Sequence, residues 1–195
     1  QCFRPMHKGQ CKEELGWEGR FVVLFVGRLI RIKGIEELLE ATKSLPEGIL
    51  VAFIGVGPIE KQLKQATGKI QNTVYVGKVG NELLPLYLNA ADLLVVPSQY
   101  EEVVGRVSLE ALSCSLPVIA TNKGGLREII QSSVGELIDP TPANLAKAIT
   151  NYFQNPQQLE RLARNARDYA LHRFSEKNAE VITRSYQGKS DEPEH

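Results

Sequence analysis

Short apolar runs alternate with amphipathic stretches along most of this chain. The first run, RFVVLFVG at residues 20–27, is almost wholly apolar, is rich in Val and Phe, and ends in glycine. Such a run is typical of a strand covered on both faces, as in a parallel sheet. Residues 35–44 follow with apolar side chains at helical spacing, and residues 49–54 form a second apolar run. The pattern therefore predicts strand, helix and strand in succession.

The alternation continues to about residue 140. It predicts strands over residues 20–27, 49–54, 73–76, 93–96, 117–121 and 134–138, and helices over residues 35–44, 58–67, 82–90, 105–115 and 126–131. Strands that alternate with helices through short connections form βαβ units with right-handed crossovers. We therefore predict an α/β fold with a doubly wound, parallel, six-stranded, Rossmann-like sheet.

The ends of the chain differ from this middle. Residues 1–19 are polar and aperiodic, so we predict a linker there that leads into a folded domain over residues 20–172. From Pro142 onward the pattern is helical in about three pieces, with breaks near Asn155-Pro156 and Phe174-Ser175. A last helix is expected over residues 173–187, and the polar tail at 188–195 is expected to be disordered.

Composition narrows the class of protein. The 195 residues are 43% apolar, which suits one well-buried domain, alone or with a small appendage. Lys and Arg number 23, as do Asp and Glu, so the formal charge is zero and a nucleic-acid partner is disfavoured. Cys2, Cys11 and Cys114 have no metal-type or redox spacing, which favours a reducing, cytoplasmic compartment.

The sequence shows neither a membrane span nor a secretory leader. No apolar run approaches the roughly 18–20 residues that a membrane-spanning helix needs. The first residue is Gln rather than Met, so we expect a processed chain or an excised fragment.

Two cations follow the first predicted strand. Arg28 leaves the sheet at its carboxyl edge, and Lys33 lies where the next helix begins. An Arg can fork onto phosphate oxygens while a Lys acts as a point charge, and free helix N–H groups add to the field. Spacing alone leaves phosphate binding and solvated loop cations as equal readings.

The predicted helix after Gly105 carries a second candidate set. Gly105 would permit close approach of a ligand to the backbone, and the N–H groups of Arg106 and Val107 are first-turn donors. Glu110 lies one turn further in and could accept from the two hydroxyls of a ribose. The alternative is an Arg106–Glu110 ion pair on a solvated helix face.

Other features are weaker. Glu102 precedes Gly105 as a candidate acid, and spacing cannot exclude its neighbour Glu101. Gly124-Gly125 opens another helix and offers either backbone donors or a plain turn. Gly55-Val-Gly57 resembles part of a dinucleotide fingerprint, but Glu60 replaces the third glycine, which disfavours an NAD-dependent oxidoreductase. His7, His172 and His195 lie outside every cluster, and the sequence contains no metal triad, Ser-His-Asp set or Walker loop.

Five motifs, in order over residues 20–140, resemble the C-terminal, donor-binding domain of retaining GT-B glycosyltransferases of family GT4. They are Gly27-Arg28-Leu29 with Lys33-Gly34, Ala91-Asp92 with Pro97-Ser98, Glu102-x-x-Gly105-x4-Glu110-Ala111, Cys114-x-x-Pro117-Val118-Ile119-Ala120, and Gly124-Gly125-x2-Glu128. Phe3-Arg4-Pro5 is similar to the family's interdomain linker, and Phe174-Ser175 with Tyr186 is similar to its closing helix.

The resemblance implies a role for each site residue. Arg28 and Lys33 would hold the diphosphate of a UDP-, GDP- or ADP-sugar, and Glu102 would contact its sugar, so these three form the implied catalytic set. Glu110 would take the ribose hydroxyls. The other implied nucleotide-sugar contacts are Gly27, Gly57, Lys78, Val79, Gly105, Arg106 and Val107. No metal and no cofactor besides the sugar nucleotide is implied.

The sequence also departs from the family. Ser115 stands where glycine is usual, and Val103-Val104 replaces the usual residue-then-Phe before Gly105. The chain has no room for the N-terminal acceptor-binding domain of a full enzyme, so we expect it to bind donor but transfer little. Association with a membrane face would come through that other domain. Alternatives are a nucleotide-binding regulatory module without catalysis, and another GT-B enzyme such as a sugar-nucleotide epimerase or a phosphorylase.

Overall fold

The computed structural model of the protein describes residues 3–102 and 105–174. Val103 and Val104 lie outside these residues, as do the predicted tail and the predicted last helix beyond Phe174, including Ser175 and Tyr186. The described strands are β1 (Phe21–Val26), β2 (Ile49–Ile54), β3 (Thr73–Gly77), β4 (Leu93–Val96), β5 (Val118–Thr121) and β6 (Gly135–Ile138).

Helices precede, separate and follow these strands. They are α1 (Lys8–Leu15), α2 (Ile35–Thr42), α3 (Glu60–Thr67), α4 (Leu84–Ala90), α5 (Arg106–Ser113), α6 (Leu126–Ile129), α7 (Pro142–Gln154) and α8 (Pro156–Phe174). A single 3₁₀ turn at Arg31–Lys33 precedes α2. Every predicted strand is confirmed to within a residue or two at each end.

The sheet has six parallel strands in the order β3-β2-β1-β4-β5-β6. The chain moves outward from β1 to β3 and then returns to the other side of β1 for β4. This reversal leaves a crevice beyond the carboxyl ends of the strands, where open α/β sheets bind their ligands. The predicted doubly wound, Rossmann-like architecture is confirmed.

Both faces of the sheet are buried. Val22 and Leu24 of β1 pack into one apolar cluster, while Val23 and Phe25 pack into the other. Successive side chains of a strand point to opposite faces, so the unbroken apolar run is what a two-sided core requires. The central strands are therefore covered by apolar packing on both faces.

The segment before β1 is where the predicted local structure is wrong. Residues 1–19 were expected to be aperiodic, yet α1 forms there and docks on the domain through polar contacts. Its Lys12 Nζ lies 2.5 Å from Oδ2 of Asp92, and that same oxygen accepts a 2.8 Å bond from the N–H of Val22. Just before α1, the N–H of Met6 donates to Oδ1 of the buried Asn89. The role of this segment as an interdomain linker stays a prediction.

Cys11 and Cys114 are buried and form no disulfide within the described part of the chain. Burial, the largest influence, raises the pKa of the Cys114 thiol to about 12. The side chain is therefore a packed, protonated thiol at neutral pH. In residues 3–102 and 105–174, no helix combines the length and the apolar character needed to cross a membrane.

Candidate functional site

A cavity of about 750 Å³ opens at the carboxyl edge of the sheet. It lies beside the point where the strand order reverses, between the loops that follow β1, β2 and β3 and the first turns of α5. Its volume falls within the range of about 300–1,000 Å³ that small-molecule sites usually have. The lining residues are Val26, Gly27, Arg28, Lys33, Ile54, Gly55, Val56, Gly57, Pro58, Lys78, Val79, Asn81, Leu84, Glu102, Arg106, Val107 and Glu110.

Gly34 fixes the position of Lys33. It has a left-handed φ of 74°, ends the 3₁₀ turn and precedes α2. A Cβ at this position would overlap the carbonyl oxygen of Pro97 in the loop after β4. Only glycine permits both the conformation and this close approach, so the loops after β1 and β4 are packed backbone to backbone here.

Lys33 and Glu102 meet across that contact. Lys33 Nζ lies 2.8 Å from Oε1 of Glu102, although 69 residues separate them in sequence. The same carboxylate oxygen accepts a hydrogen bond from the hydroxyl of Ser98, a residue with no solvent exposure. The Lys33 ammonium also lies 5.0 Å from the centre of the Tyr100 ring. The cation is therefore held in place before any ligand arrives.

These neighbours also set the charge of Lys33. Burial by itself would lower the pKa of the ammonium, but the hydrogen bond to Glu102 and the interaction with Tyr100 outweigh it and raise the pKa above the ordinary value. A group whose folded pKa is raised keeps its stabilising charge at lower pH and loses it only as pH rises through that pKa. Lys33 is thus cationic throughout the neutral range.

At the start of α5, Glu110 is paired with Arg106. Nε of Arg106 lies 2.8 Å from Oε1 of Glu110, the i,i+4 pair that the sequence left open as an alternative. The Arg106 side chain is 73% exposed and that of Glu110 only 13%. Both residues line the cavity, so the pair faces the candidate ligand space rather than an uninvolved helix face. An exposed partner of this kind can leave the carboxylate at small cost.

Gly105 lies outside the cavity lining, and the structure gives a packing reason for its identity. A Cβ there would lie 2.5 Å from Cδ2 of Leu126 in α6. Contact between its backbone and a ligand stays a prediction. At the start of α6, the N–H of Gly125 donates to the carbonyl of Glu102 at 2.7 Å, so this glycine braces the acidic loop and its donor is occupied.

The remaining predicted residues also line the cavity. Arg28 lines it after β1, and Lys78 with Val79 lines it after β3. Neither Arg28 nor Lys78 forms an ion pair within the described ranges. Gly57 lies in the lining too, but a Cβ there would overlap the backbone of Leu29, so its glycine is explained by loop packing. Of the two neighbouring acids, Glu102 is buried and lines the cavity, whereas Glu101 is exposed and does not.

Sequence reasoning missed several residues of the site. Ser98 was predicted only as a member of a motif, and Tyr100 was not predicted at all. Both contact the Lys33–Glu102 pair. Asn81, Leu84, Val56 and Pro58 also line the cavity. Their positions after strands β2 and β3 are a signal that could have identified them, because carboxyl-end loops of a parallel sheet converge.

Within the described ranges, no three or more His, Cys, Asp or Glu side chains are grouped closely enough to hold a metal ion. The charges of the cavity come instead from Arg28, Lys33, Lys78 and Arg106, with the carboxylates of Glu102 and Glu110. This is an environment suited to an anion that also carries hydroxyl groups.

Comparison with known proteins places this geometry in context. The sequence model of the family described as Glycosyl transferases group 1 matches residues 8–169. The chain is 36% identical over 168 residues to TuaC of Bacillus subtilis (strain 168), a candidate teichuronic acid biosynthesis glycosyltransferase; the match covers 85% of this chain and 42% of TuaC. The chain spans about half the length of the curated relatives that it matches, with values such as 42% and 54%.

Solved structures agree with the sequence match. HepE of Anabaena, crystallised in complex with UDP, superposes with a TM-score of 0.83 at 25% identity, over 93% of this chain and 54% of HepE. The same protein has been crystallised with UDP-glucose. The C-terminal domain of the group 1 glycosyl transferase LpcC from Francisella tularensis shares the fold, with a TM-score of 0.78 at 24% identity, over 89% of this chain and 96% of that domain.

Proposed function

This chain belongs to the family Glycosyl transferases group 1, and on that basis we propose that it is the donor-binding domain of a retaining GT-B glycosyltransferase. Its ligand would be a nucleoside diphosphate sugar, held in the cavity at the carboxyl edge of the sheet. The observation that carries the proposal is the convergence of Arg28, Lys33, Glu102 and Glu110 on one cavity. The UDP and UDP-glucose complexes of HepE support a sugar nucleotide as the ligand class.

Each group has a chemical task in this proposal. Arg28 and Lys33 neutralise the diphosphate, with the guanidinium forking onto its oxygens. Glu110 exchanges its exposed partner Arg106 for the two ribose hydroxyls. Glu102 accepts from hydroxyls of the sugar, and Lys78 with Val79 lies beside the base.

The reaction requires charge stabilisation on the leaving group. The bond between the anomeric carbon and the diphosphate oxygen breaks, and its electron pair stays on the diphosphate. The acceptor oxygen bonds the anomeric carbon as its proton passes to the departing diphosphate. Preorganised cations aimed at the developing negative charge lower the barrier to this step. Arg28 and Lys33 supply that field in our proposal, and transfer is metal-independent.

The acceptor would bind to a second domain. The relatives are roughly twice as long as this chain, and we propose that an N-terminal domain of the full protein holds the acceptor across the open side of the cavity. The chain alone would then bind donor and transfer little or nothing. We also propose a cytoplasmic site of action, with any peripheral membrane association provided by the other domain.

Titration calorimetry tests this function. The chain is titrated with UDP, GDP and ADP, each with and without its sugar, and we expect one base to be preferred and its sugar nucleotide to bind. An Arg28→Ala/Lys33→Ala double variant is the matched control for the cavity. Failure of all six ligands to bind the folded chain would overturn the proposal.

A further inference from the structure

Two hydrogen bonds converge on a single oxygen of Glu102. Oε1 accepts from the Ser98 hydroxyl and from Lys33 Nζ. Among residues 3–102 and 105–174, no hydrogen bond or salt bridge involves the second oxygen, Oε2, and Glu102 lines the cavity. The carboxylate is thus anchored by one oxygen and presents the other.

The two partners of Oε1 differ in what they are free to do. The Ser98 side chain is fully buried directly after Pro97, whose carbonyl is packed against Gly34. Lys33 is partly exposed, lines the same cavity and carries a flexible stem. Ser98 is therefore the fixed partner and Lys33 the exchangeable one.

An exchange would otherwise be costly. Glu102 is only 8% exposed, and removing the cation from a buried ion pair leaves an uncompensated charge. A neutral hydroxyl that stays bonded to the carboxylate reduces this cost, because a buried acceptor with a remaining partner is not left unsatisfied.

We propose that Ser98 is a positioning residue that holds Glu102 by Oε1 while the Lys33 ammonium leaves that carboxylate and pairs with the diphosphate of the incoming donor. Oε2 is left to accept from the sugar. Glu102 is in this way an internal counter-ion that the diphosphate replaces. The inference rests on the proposed function and concerns the same cavity.

The exchange predicts opposite effects for two variants. Glu102→Gln removes the competing charge and frees Lys33, so the nucleoside diphosphate binds more tightly, by about three- to tenfold. The sugar nucleotide gains less, because the amide is a poorer acceptor for sugar hydroxyls. Ser98→Ala leaves Lys33 as the sole partner of a buried carboxylate, so the nucleoside diphosphate binds about three- to tenfold more weakly.

The experiment is a double-mutant cycle in titration calorimetry with UDP, or with GDP or ADP if one of those binds better to the unmodified chain. The single variants Ser98→Ala and Glu102→Gln are compared with the double variant. If Ser98 acts through the charge of Glu102, its loss has no effect on affinity in the Glu102→Gln background. A loss of equal size in both backgrounds would show a structural role and overturn the inference.

Three controls sharpen the result. Glu101→Gln removes the charge of an exposed neighbour that does not line the cavity, so tightening there equal to that of Glu102→Gln would reduce the effect to long-range electrostatics and contradict the exchange. Glu102→Gln should lose its benefit when Lys33 is already Ala. Ser98→Thr and Ser98→Val have the same shape and differ in the hydroxyl, so weaker binding by Val alone tests the claim even if Ser98→Ala unfolds.

Failure of the inference is distinguishable from failure of the proposed function. If the unmodified chain binds UDP, GDP and ADP no more than buffer, the donor site itself is wrong. If it binds one of them and the cycle shows no coupling between Ser98 and Glu102, the donor site stands and only the exchange is refuted.

Discussion

Nε of Arg106 lies 2.8 Å from Oε1 of Glu110, so the carboxylate assigned to the ribose already holds a cation one helical turn away. The two side chains differ in burial, since Arg106 is 73% exposed and Glu110 is 13% exposed. We predict that Glu110→Ala weakens nucleoside diphosphate binding by about 1–3 kcal/mol, as for the loss of hydrogen bonds to a charged group.

Arg106→Ala is the matched control for that variant. It keeps the backbone N–H and removes a cavity-lining side chain that is 73% exposed, so the affinity should change by less than about 1 kcal/mol. Both values come from calorimetric titration of the same nucleotide. Equal losses in the two variants would tell against the ribose assignment and in favour of a purely helical ion pair.

Arg28 and Lys33 are predicted to recognise phosphate rather than base. Arg28→Ala/Lys33→Ala should reduce UDP affinity by at least an order of magnitude, because two charge-assisted contacts are lost. Uridine affinity should change little. Competition against a fluorescent nucleotide measures both ligands, and parallel losses for UDP and uridine would refute the phosphate role.

Gly34 is predicted to tolerate no side chain. Gly34→Ala combines a left-handed φ with overlap on the Pro97 carbonyl and should destabilise the domain by more than about 4 kcal/mol. Gly16→Ala is its control, since Gly16 has a similar φ of 66° with open space around it and should cost only about 1–2 kcal/mol.

Chemical denaturation measures the free energy of unfolding for both glycine variants. If Gly34→Ala costs no more than Gly16→Ala, the backbone contact between the loops after β1 and β4 is not rigid. The fixed placement of Lys33 would then lack its structural basis.

Asp92 is predicted to fasten α1 to the sheet. Its carboxylate accepts from Lys8, Lys12 and the Val22 N–H, and Asp92→Ala should cost about 3–5 kcal/mol because Lys12 and the buried amide lose their partner. Lys8→Ala should cost less than about 1 kcal/mol, since that side chain is 46% exposed. Thermal unfolding checks both, at about 2–4 °C per kcal/mol, and equal shifts would contradict the ranking.

The sheet could be predicted from the sequence because each strand is a short, local run of apolar residues. All residues from 21 to 26 are apolar, so apolar side chains point to both faces of the predicted strand. The structure buries β1 (Phe21–Val26) on both faces. The helix α1 was missed for the opposite reason. Its residues carry no amphipathic pattern, and it is held by Asp92, about 80 residues away along the chain.

The candidate site, too, was predictable only where local motifs mark its residues. Motif positions predicted Arg28, Lys33, Glu102 and Glu110 as one candidate set, and all four line the cavity. The ion pair between Lys33 and Glu102 spans 69 residues, and no local pattern encodes it. Ser98 was predicted only as a member of a motif, because its role depends on its hydrogen bond to the buried carboxylate of Glu102.

A crystal structure of the chain with the sugar nucleotide that binds best in the calorimetric panel tests the central claim most directly. We predict electron density in the cavity at the sheet edge, with the diphosphate at Arg28 and Lys33 and the ribose hydroxyls at Glu110. A nucleotide bound elsewhere, or bound there with its ribose away from Glu110, would contradict the account.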